Sequence, residues 1–311
     1  MELIRGLHNL RPEHRGCVAT IGNFDGVHLG HQAVIGQLAE MGQELGLPTL
    51  VMLFEPQPME FFRPVQGPAR LTRFREKLRA LSRYAVDRVL CVKFNDDFAS
   101  LAPEAFVDIL KGKLGVSYLV VGDDFRFGKD RAGDFALLQQ QGRKHGFEVV
   151  HLHTFHVDGD RVSSTCIRKA LADGDLSTAE KLLGRPYRMC GRVVHGEKLG
   201  RTLGIPTANI NVHRDVTPLV GIYVVEVFGL KGEPLPGVAS VGTRPTVNGT
   251  HCLLEIYIFD FNQEIYGHYL QVDFLHKLRD EERFESLDKM KAQIYRDIDD
   301  ARAWLQQQDY E

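Results

Sequence analysis

The chain has 311 residues, of which 43% are hydrophobic and 25% charged, and its formal net charge is −3 at pH 7. This balance is typical of a globular protein long enough for two domains, and it predicts neither a nucleic-acid nor a membrane partner. No apolar run approaches the roughly 18 residues of a membrane helix, and the first residues lack the apolar segment of a signal peptide. Five scattered cysteines without CxxC spacing favour reduced thiols and a cytoplasmic location.

The first half of the chain alternates apolar strands with helical patterns. Buried strands are predicted at 18–21, 47–54, 86–93, 118–122 and 147–151. Helices are predicted at 32–41, 70–81, 102–114 and 132–145. This alternation predicts an α/β, Rossmann-like domain with a parallel sheet and right-handed crossovers. In such sheets, ligands bind beyond the carboxyl ends of the strands, so the loops there are the informative ones.

The loop after the first strand is a glycine-rich turn with two histidines. It reads Gly-Asn-Phe-Asp-Gly-Val-His-Leu-Gly-His over residues 22–31 and leads into the first helix. Such a turn aims backbone N–H groups and the positive end of the helix dipole at one point, which suits an anion. His28 and His31 are three residues apart, so in a first helical turn their rings face the same way and can neutralise phosphate charge. Solvated surface residues and metal ligands are the alternatives, although no third ligand is obvious nearby.

A second candidate loop follows the fifth strand and opens a helix at residues 162–168. Ser163, Ser164 and Thr165 supply hydroxyls at the helix start, and Arg168 lies one turn in. A hydroxyl-rich helix start with an arginine is a suitable seat for a triphosphate. An ordinary N-cap made by one serine explains the same residues about equally well.

The second half of the chain has a different pattern of predicted secondary structure. After residues 183–187, short β-rich runs are broken by glycine, proline and asparagine, with no helices between them. Strands are predicted at 187–194, 221–228, 237–241, 251–258 and 269–275. They favour an antiparallel β-barrel, and an apolar stripe from Leu287 to Leu305 predicts a terminal α-helix. The domains are therefore predicted as 1–185 and 186–311, with a join near 183–188.

Several of these stretches resemble one known family. Residues 22–31 resemble the HxGH signature of the nucleotidyltransferase superfamily, in the version of the bacterial bifunctional riboflavin kinase/FMN adenylyltransferases, or FAD synthetases. Leu-Gly-Ile-Pro-Thr-Ala-Asn at 203–209 resembles the family's riboflavin kinase signature, although Pro-Thr-Ala-Asn alone is a plausible turn. Further matches lie at 54–58, 122–128, 162–168, 242–246 and 254–261, so the resemblance covers nearly the whole chain in the family's domain order.

The resemblance implies two reactions. In the family, the barrel phosphorylates riboflavin with ATP to give FMN, and the N-terminal domain joins FMN to the AMP part of a second ATP, releasing pyrophosphate and FAD. The implied ligands are riboflavin, FMN, FAD and ATP, with Mg²⁺ as cofactor; the oligomeric state stays open. Two alternatives are an adenylyltransferase for another metabolite, such as a pantetheine phosphate, and a protein that only stores flavin. The Pro-Thr-Ala-Asn motif with a later Glu255 argues against the first, and the histidines with a triphosphate seat argue against the second.

The resemblance also implies site residues in the N-terminal domain. His28 and His31 are implied to stabilise the transition state. The implied ATP contacts are Gly22, Asn23, Phe24, His28, His31, Ser163, Ser164, Thr165 and Arg168. The implied flavin and nucleotide loop contains Asp124, Phe125 and Phe127.

In the barrel, Glu255 stands where the family has its catalytic base. A carboxylate suits this role because the 5′-hydroxyl of riboflavin must lose a proton to attack the γ-phosphate. Alternation with Leu254 and Ile256 alone predicts only an outward strand residue. The resemblance further implies that Thr207 and Asn209 bind Mg²⁺–ATP. It also implies ATP contacts at Gly191, Gly200 and Arg201 and a flavin contact at Arg279.

The chain departs from the family's pattern at three positions. Gln57 and Tyr257 stand where the family often has histidine, and Cys166 stands where it often has arginine. Gln57 keeps a hydrogen-bonding side chain but loses charge, and Cys166 removes one possible phosphate contact. We expect Tyr257 to matter little for proton transfer.

Overall fold

The computed structural model of the chain describes residues 1–64, 67–122, 125–152, 155–196, 204–246 and 249–308. The chain forms two units in it. The first consists of Met1–Pro68 and Thr72–Ser164, and the second of Ala69–Leu71 and Thr165–Glu311. The domain ranges 1–185 and 186–311 stay a prediction.

The first unit is built on a parallel sheet of six strands in the order β1-β4-β3-β2-β5-β6. The strands are β1 (Glu2–Arg5), β2 (Cys17–Ile21), β3 (Thr49–Glu55), β4 (Arg88–Lys93), β5 (Val116–Gly122) and β6 (Glu148–Leu152). Every residue of β2 is buried, as expected for a strand covered on both faces. The predicted parallel α/β fold is confirmed, and the edge strand β1 is an addition to the five predicted strands.

The helices of this unit connect the strands. They are α1 (Leu29–Leu45), α2 (Pro58–Phe62), α3 (Phe74–Leu81), α4 (Asp96–Ala99), α5 (Pro103–Asp108) and α6 (Phe135–His145). The predicted start of a helix at residue 70 is wrong: α3 starts at Phe74, because the Glu76 carboxylate accepts the Arg73 N–H at 2.7 Å and caps the helix there. The predicted helix 102–114 is an α-helix only to Asp108 and continues as a π-turn at Ile109–Lys113.

The second unit is a closed antiparallel barrel with strands in the order β10-β13-β12-β11-β14-β9. A small hairpin of the first unit and two helices precede it: β7 (His156–Val157), β8 (Asp160–Arg161), α7 (Ser164–Asp173) and α8 (Leu176–Leu183). The barrel strands and the terminal helix are β9 (Tyr187–Val194), β10 (Ala208–Asn211), β11 (Gly221–Phe228), β12 (Leu235–Thr246), β13 (Gly249–Ile258), β14 (Tyr269–Arg279) and α9 (Leu287–Gln308). The predicted barrel with a terminal helix is confirmed, but the sequence interpretation missed β10, whose residues it treated as part of a turn.

The barrel has an apolar interior and an apolar patch on its outer face. Leu254 and Ile256 on β13 are at most 1% exposed and point inward. On the outer face, Val238 packs in one cluster with Ile298 and Ala301 of α9. Helix α9 therefore covers part of the barrel wall. The predicted apolar stripe is wrong at its first residue, because Leu287 is 57% exposed at the start of the helix.

Residues 69–71 belong to the barrel unit although they lie far from it in the sequence. The buried Arg214 donates to the carbonyl of Arg70 at 2.5 Å and to that of Leu71 at 3.2 Å. The Tyr187 hydroxyl donates to the same Leu71 carbonyl at 3.2 Å. The carbonyls of residues 70 and 71 are thus bound by side chains of the barrel unit, just ahead of the capped start of α3.

Candidate active sites

The histidine turn lies at the carboxyl end of β2, at the centre of the parallel sheet. The Gly22 N–H continues the sheet by donating to the Met52 carbonyl of β3 at 3.1 Å. His28 is the N-cap of α1, and its Nδ1 accepts the His31 N–H at 3.3 Å. The two imidazole rings stack with centroids 3.6 Å apart and an interplanar angle of 18°. The two rings thus face the same way, as their spacing predicts.

The geometry also determines where protons sit on the two histidines. Because His28 Nδ1 accepts a hydrogen bond, the neutral His28 ring carries its proton on Nε2. Burial, and then the nearby His28 and Lys77, hold the pKa of His31 well below its ordinary value of 6.5. His31 is therefore neutral at pH 7. His31 Nδ1 is buried, and no hydrogen-bond partner for it occurs among the described residues.

Two residues that the sequence interpretation did not single out hold the turn in place. The carboxylate of Asp25, which is 2% exposed, accepts the Thr72 N–H at 2.9 Å and the Thr72 hydroxyl at 3.2 Å. The Gly26 N–H donates to the Thr72 Oγ1 at 2.9 Å, and the Ser164 hydroxyl donates to the Asp25 carbonyl at 2.9 Å. Asp25 lies inside the motif of residues 22–31, and this position could have indicated its role. No sequence pattern indicated the role of Thr72.

The turn needs this support because its backbone is strained. Phe24 and Val27 adopt positive φ angles of 48° and 44°, which side-chain-bearing residues rarely do. The Phe24 ring is 4.7 Å from the His31 ring and also lies against Gly22. The fully buried Phe24 and Val27 anchor the turn in the core, while Gly22 and Asn23 stay half-buried at its start.

A second buried polar atom follows the neighbouring strand. Gln57 comes two residues after β3, is 4% exposed and precedes α2; its backbone N–H donates to Glu60 Oε2 at 3.0 Å. The carboxamide nitrogen of Gln57 is buried and has no partner among the described residues. Because β2 and β3 are adjacent and parallel, Gln57 and the histidine turn follow the same edge of the sheet.

The hydroxyl-bearing helix start is in place where the sequence predicts a helix. Helix α7 begins at Ser164, directly after the half-buried Ser163, and Thr165 is exposed. Arg168 Nε donates to the Ala69 carbonyl at 2.6 Å, so part of the guanidinium is already engaged by backbone.

Aromatic rings form a chain along the carboxyl ends of the sheet. Phe125 and Phe127 stack at 5.8 Å and an interplanar angle of 21°, while Asp124 lies outside the described residues. Phe127 also packs on Phe106 at 5.0 Å. Further along, Phe94 contacts Phe62 at 5.7 Å, and the Phe62 ring is 63% exposed. The sequence interpretation named only the first two of these rings.

The barrel unit contains a pocket of about 240 Å³ between its outer wall and α9. Thr207, Ser240, Glu255, Tyr257 and Arg279 line it on the barrel side. Glu255 pairs directly with Asn209 on β10 and with Ser240 on β12, so these three side chains share one face of the sheet. Glu255 is an outward strand residue, as alternation predicts, and the outer face here is the pocket wall.

Glycines shape the approach to this pocket. A Cβ at Gly196 would overlap the carboxamide of Asn209, so this side chain occupies the space that the glycine leaves free. A Cβ at Gly191 would overlap the Asn211 carbonyl, so Gly191 allows β9 and β10 to approach closely. Gly200 and Arg201 lie outside the described residues.

The sequence interpretation missed other residues of the pocket. Glu281 lines it, and its carboxylate lies where a Cβ of Gly242 would be. Burial raises the pKa of Glu281 above its ordinary value. Phe284 and Ile294 add apolar surface to the same pocket. Two of these residues lie in the segment 274–284, which resembles the family's flavin-side segment, and Ile294 belongs to the predicted apolar stripe, but none was assigned to a site.

The fold and the two sites define a two-part enzyme class: an α/β unit with an anion-binding turn, and a barrel unit with a carboxylate-bearing pocket. Two family models match the chain, FAD synthetase over residues 10–166 and riboflavin kinase over residues 183–305. Bifunctional riboflavin kinase/FMN adenylyltransferase of Escherichia coli strain K12 is 54% identical over 98% of both chains. That of Haemophilus influenzae is 50% identical over 98% of this chain and 99% of the relative.

One solved structure is similar over the full length. It is described as a macrolide-efflux protein from Streptococcus pneumoniae, has 32% identity and a TM-score of 0.82, and is matched over 96% of this chain and 97% of that chain. Within the described ranges, no helix combines the length and apolar character that crossing a membrane requires. The chain belongs to the family of bifunctional riboflavin kinase/FMN adenylyltransferases. The resemblance stated from the sequence is thereby confirmed, and both enzymatic domains of the family are present.

Proposed function

We propose that residues 1–185 act as the FMN adenylyltransferase and residues 186–311 as the riboflavin kinase. The ranges of the two family models, 10–166 and 183–305, support this division. ATP phosphorylates riboflavin to FMN in the barrel. The FMN phosphate then attacks the α-phosphate of a second ATP in the α/β domain, which yields FAD and pyrophosphate.

The observation that carries the kinase proposal is the pocket that brings Glu255 and Thr207 together, with Asn209 directly across from Glu255. Glu255 accepts the proton of the riboflavin 5′-hydroxyl while that oxygen attacks the γ-phosphate of ATP. Arg279 binds the flavin, and Gly191, Gly200 and Arg201 are proposed to contact ATP.

Magnesium fits the same pocket by the chemistry of its donors. Among the described residues, no group of three or more His, Cys, Asp or Glu side chains is arranged to hold a metal ion. The Thr207 hydroxyl and the Asn209 amide oxygen are hard ligands of the kind Mg²⁺ accepts beside phosphate and water oxygens. We propose that these two residues hold Mg²⁺, which neutralises charge on the ATP phosphates when it is bound.

The adenylyltransferase proposal rests on the two buried, unpartnered polar atoms, His31 Nδ1 and Gln57 Nε2, that follow adjacent parallel strands. Native proteins rarely leave such atoms unsatisfied, so a polar ligand at this edge supplies the missing partners. His28 and His31 donate to the phosphate oxygens as charge develops on them. Gly22, Asn23, Phe24, Ser163, Ser164, Thr165 and Arg168 are the proposed further ATP contacts. Catalysis is by positioning and charge stabilisation, without a covalent protein intermediate.

The aromatic chain gives the flavin a surface of matching chemistry. The isoalloxazine ring is flat and largely apolar, and stacked or tilted aromatic rings bind such groups well. Phe125 and Phe127, with Asp124 beside them in sequence, are proposed to shape the flavin and nucleotide site. The exposed Phe62 ring extends the same row of phenylalanines.

One assay tests the proposed function. Purified protein is incubated with riboflavin, ATP and Mg²⁺, and riboflavin, FMN, FAD and pyrophosphate are separated and quantified over time. We expect FMN to appear first and FAD later, and FAD to form directly when FMN is supplied. Omitting Mg²⁺ should stop FMN formation. Failure to convert riboflavin, or failure to convert supplied FMN while a pantetheine phosphate is adenylylated, would overturn the corresponding half.

We further propose that the enzyme is cytoplasmic. The five cysteines all lie within the described residues and are thiols outside any disulfide, which suits a reducing compartment.

A further inference from the structure

Helix α9 carries an acidic residue on the face that packs against the barrel. Asp297 is 3% exposed and lies beside Ile298 and within a turn of Ile294 and Ala301, which belong to the apolar cluster under the helix. An ionised carboxylate in such surroundings is costly unless it is paired and fully hydrogen-bonded. Conflicts of this kind between a residue and its apolar surroundings tend to mark functional positions.

The carboxylate of Asp297 is held by two side chains. Arg279 Nε donates to Oδ1 at 2.8 Å and Arg279 Nη2 donates to Oδ2 at 2.8 Å, so the pair is bidentate. Gln293 Nε2, one turn earlier on α9, donates to the same Oδ1 at 2.9 Å. Two parallel bonds fix the plane of a guanidinium as well as its position. The bonds to Asp297 also raise the pKa of Arg279, which keeps it charged.

The guanidinium fixed in this way is part of the pocket wall. Arg279 lines the same pocket as Thr207 and Glu255. Its Nη1 donates to the Asp280 carbonyl at 2.9 Å, and its central carbon lies 5.8 Å from the centre of the Phe284 ring. Without these partners the long arginine side chain would sample many rotamers, and only a fraction of them would present the guanidinium to a ligand.

We propose that Asp297 and Gln293 are positioning residues of the kinase, which hold the Arg279 guanidinium in the orientation that binds riboflavin. This inference rests on the proposed kinase function and on the flavin role of Arg279. Asp297 also lines the pocket, but both of its carboxylate oxygens already accept bonds from Arg279 or Gln293, so its effect reaches the flavin through the guanidinium. Helix α9 is then a working part of the kinase site and not only a cover for the barrel wall.

The main variant is Asp297→Asn, which keeps the size of the side chain but removes its charge and one acceptor oxygen. We expect the KM for riboflavin to rise about tenfold, while kcat and the KM for ATP change by less than about twofold. The dissociation constant for riboflavin, measured by quenching of its fluorescence, should rise by the same factor. Gln293→Met should act in the same direction with a rise of about threefold, because it removes one of the three bonds.

A control with the same pairing geometry is available on the same helix. Arg302 of α9 makes a second bidentate pair, with Asp260, through bonds of 3.0 Å and 3.2 Å. Neither of these two residues is among those that line the pocket. Asp260→Asn therefore weakens another bidentate pair of α9, one whose carboxylate is exposed, and we expect all kinetic constants to stay at wild-type values.

The outcomes separate this inference from the proposed function. An unchanged riboflavin KM in folded Asp297→Asn, or equal rises in the KM for riboflavin and for ATP, would overturn the positioning role. If Asp297→Asn does not fold, Gln293→Met decides, and a wild-type riboflavin KM in that variant overturns the inference. If the wild-type protein forms no FMN, the proposed kinase function fails and this inference fails with it.

Discussion

The two candidate sites are assembled in opposite ways. The histidine turn is one continuous stretch at the end of β2, and its stacked rings come from residues three apart on one helix start. The barrel pocket collects Ser240, Glu255 and Arg279 from three different strands and closes them under α9. A local site depends on the conformation of one loop, whereas a dispersed site depends on strand register and helix packing. The two sites should therefore fail independently, and for different physical reasons.

The largest effect is expected in the dispersed site. Glu255→Gln removes the proposed acceptor of the hydroxyl proton but keeps its size, so riboflavin phosphorylation should fall by about 10²- to 10⁴-fold. FAD formation from supplied FMN should stay near the wild-type rate. Separate chromatographic assays starting from riboflavin and from FMN measure the two. Loss of both activities in a folded protein would contradict the two-site division.

The converse prediction concerns a variant in the histidine turn. His31→Ala removes a proposed donor to the phosphates and the ring that stacks on His28, so FAD formation should fall by about 10²- to 10³-fold. Riboflavin phosphorylation in the same preparation should be nearly unchanged, and circular dichroism checks the fold. If FAD formation survives, the histidine pair has no part in catalysis.

The next effect tests the support of the turn. Asp25→Ala leaves the buried N–H and hydroxyl of Thr72 without their acceptor, which should lower the free energy of unfolding by about 1–3 kcal/mol. FAD formation should fall as well, because the strained histidine turn loses the hydrogen bonds to Thr72 that hold it in place.

A control for Asp25→Ala lies at the opposite end of the sheet. There the Asp87 carboxylate accepts the N–H and the hydroxyl of Thr49 at 2.9 and 3.1 Å. Asp87→Ala should lower stability without changing FAD formation per folded molecule. Equal losses of activity in both variants would show that Asp25 acts only through stability.

A smaller effect tests the approach to the barrel pocket. Gly196→Ala places a methyl group where the Asn209 carboxamide lies, so Asn209 must move away from its place across from Glu255. We expect riboflavin phosphorylation to fall about tenfold, mainly through a higher KM for Mg²⁺–ATP. Gly232→Ala is the control, because a Cβ there meets no atom within 4 Å. Equal rates in both variants would remove Asn209 from the site.

The smallest effect is a pH dependence that belongs only to the local site. Because the pKa of His31 is depressed in the folded state, the unfolded chain binds a proton first as pH falls below about 6.5, and stability is lost from there down to the folded pKa. His31→Gln should remove this loss, which is at most about 1.4 kcal/mol per pH unit. Denaturant titrations of both proteins at several pH values between about 7.5 and 5.0 measure the difference. Parallel stability curves would contradict the buried neutral imidazole.

The same contrast explains what the sequence could predict. The histidine turn was identified from the sequence, because glycines, two histidines three residues apart and a preceding apolar strand are local signals. The late start of α3 was not predicted, because its N-cap is an arginine, which is not a usual start signal, and because the bonds from Arg214 join positions far apart in the sequence. Strand β10 was missed because four residues, Ala-Asn-Ile-Asn, are too short and polar to predict a strand.

For the barrel pocket, the sequence identified individual residues but not which of them lie next to each other. Glu255, Thr207 and Asn209 were identified by family resemblance, and alternation correctly predicted that Glu255 faces away from the barrel interior. That Asn209 and Glu255 stand side by side follows only from the register of β10 and β13. Asp297 gave no signal, because a single acidic residue near an apolar stripe is common on exposed helix edges.

The three residues Ala69–Leu71 limit how far the barrel unit can be separated from the rest of the chain. Arg214 and Tyr187, on the barrel side, use the carbonyls of Arg70 and Leu71 as their acceptors. A barrel unit without these three residues would lose two acceptors of the Arg214 guanidinium, and hydrogen bonds to charged groups contribute about 1.5–3 kcal/mol each. Exchange of the barrel unit between relatives is therefore expected to work best when this tripeptide is transferred with it.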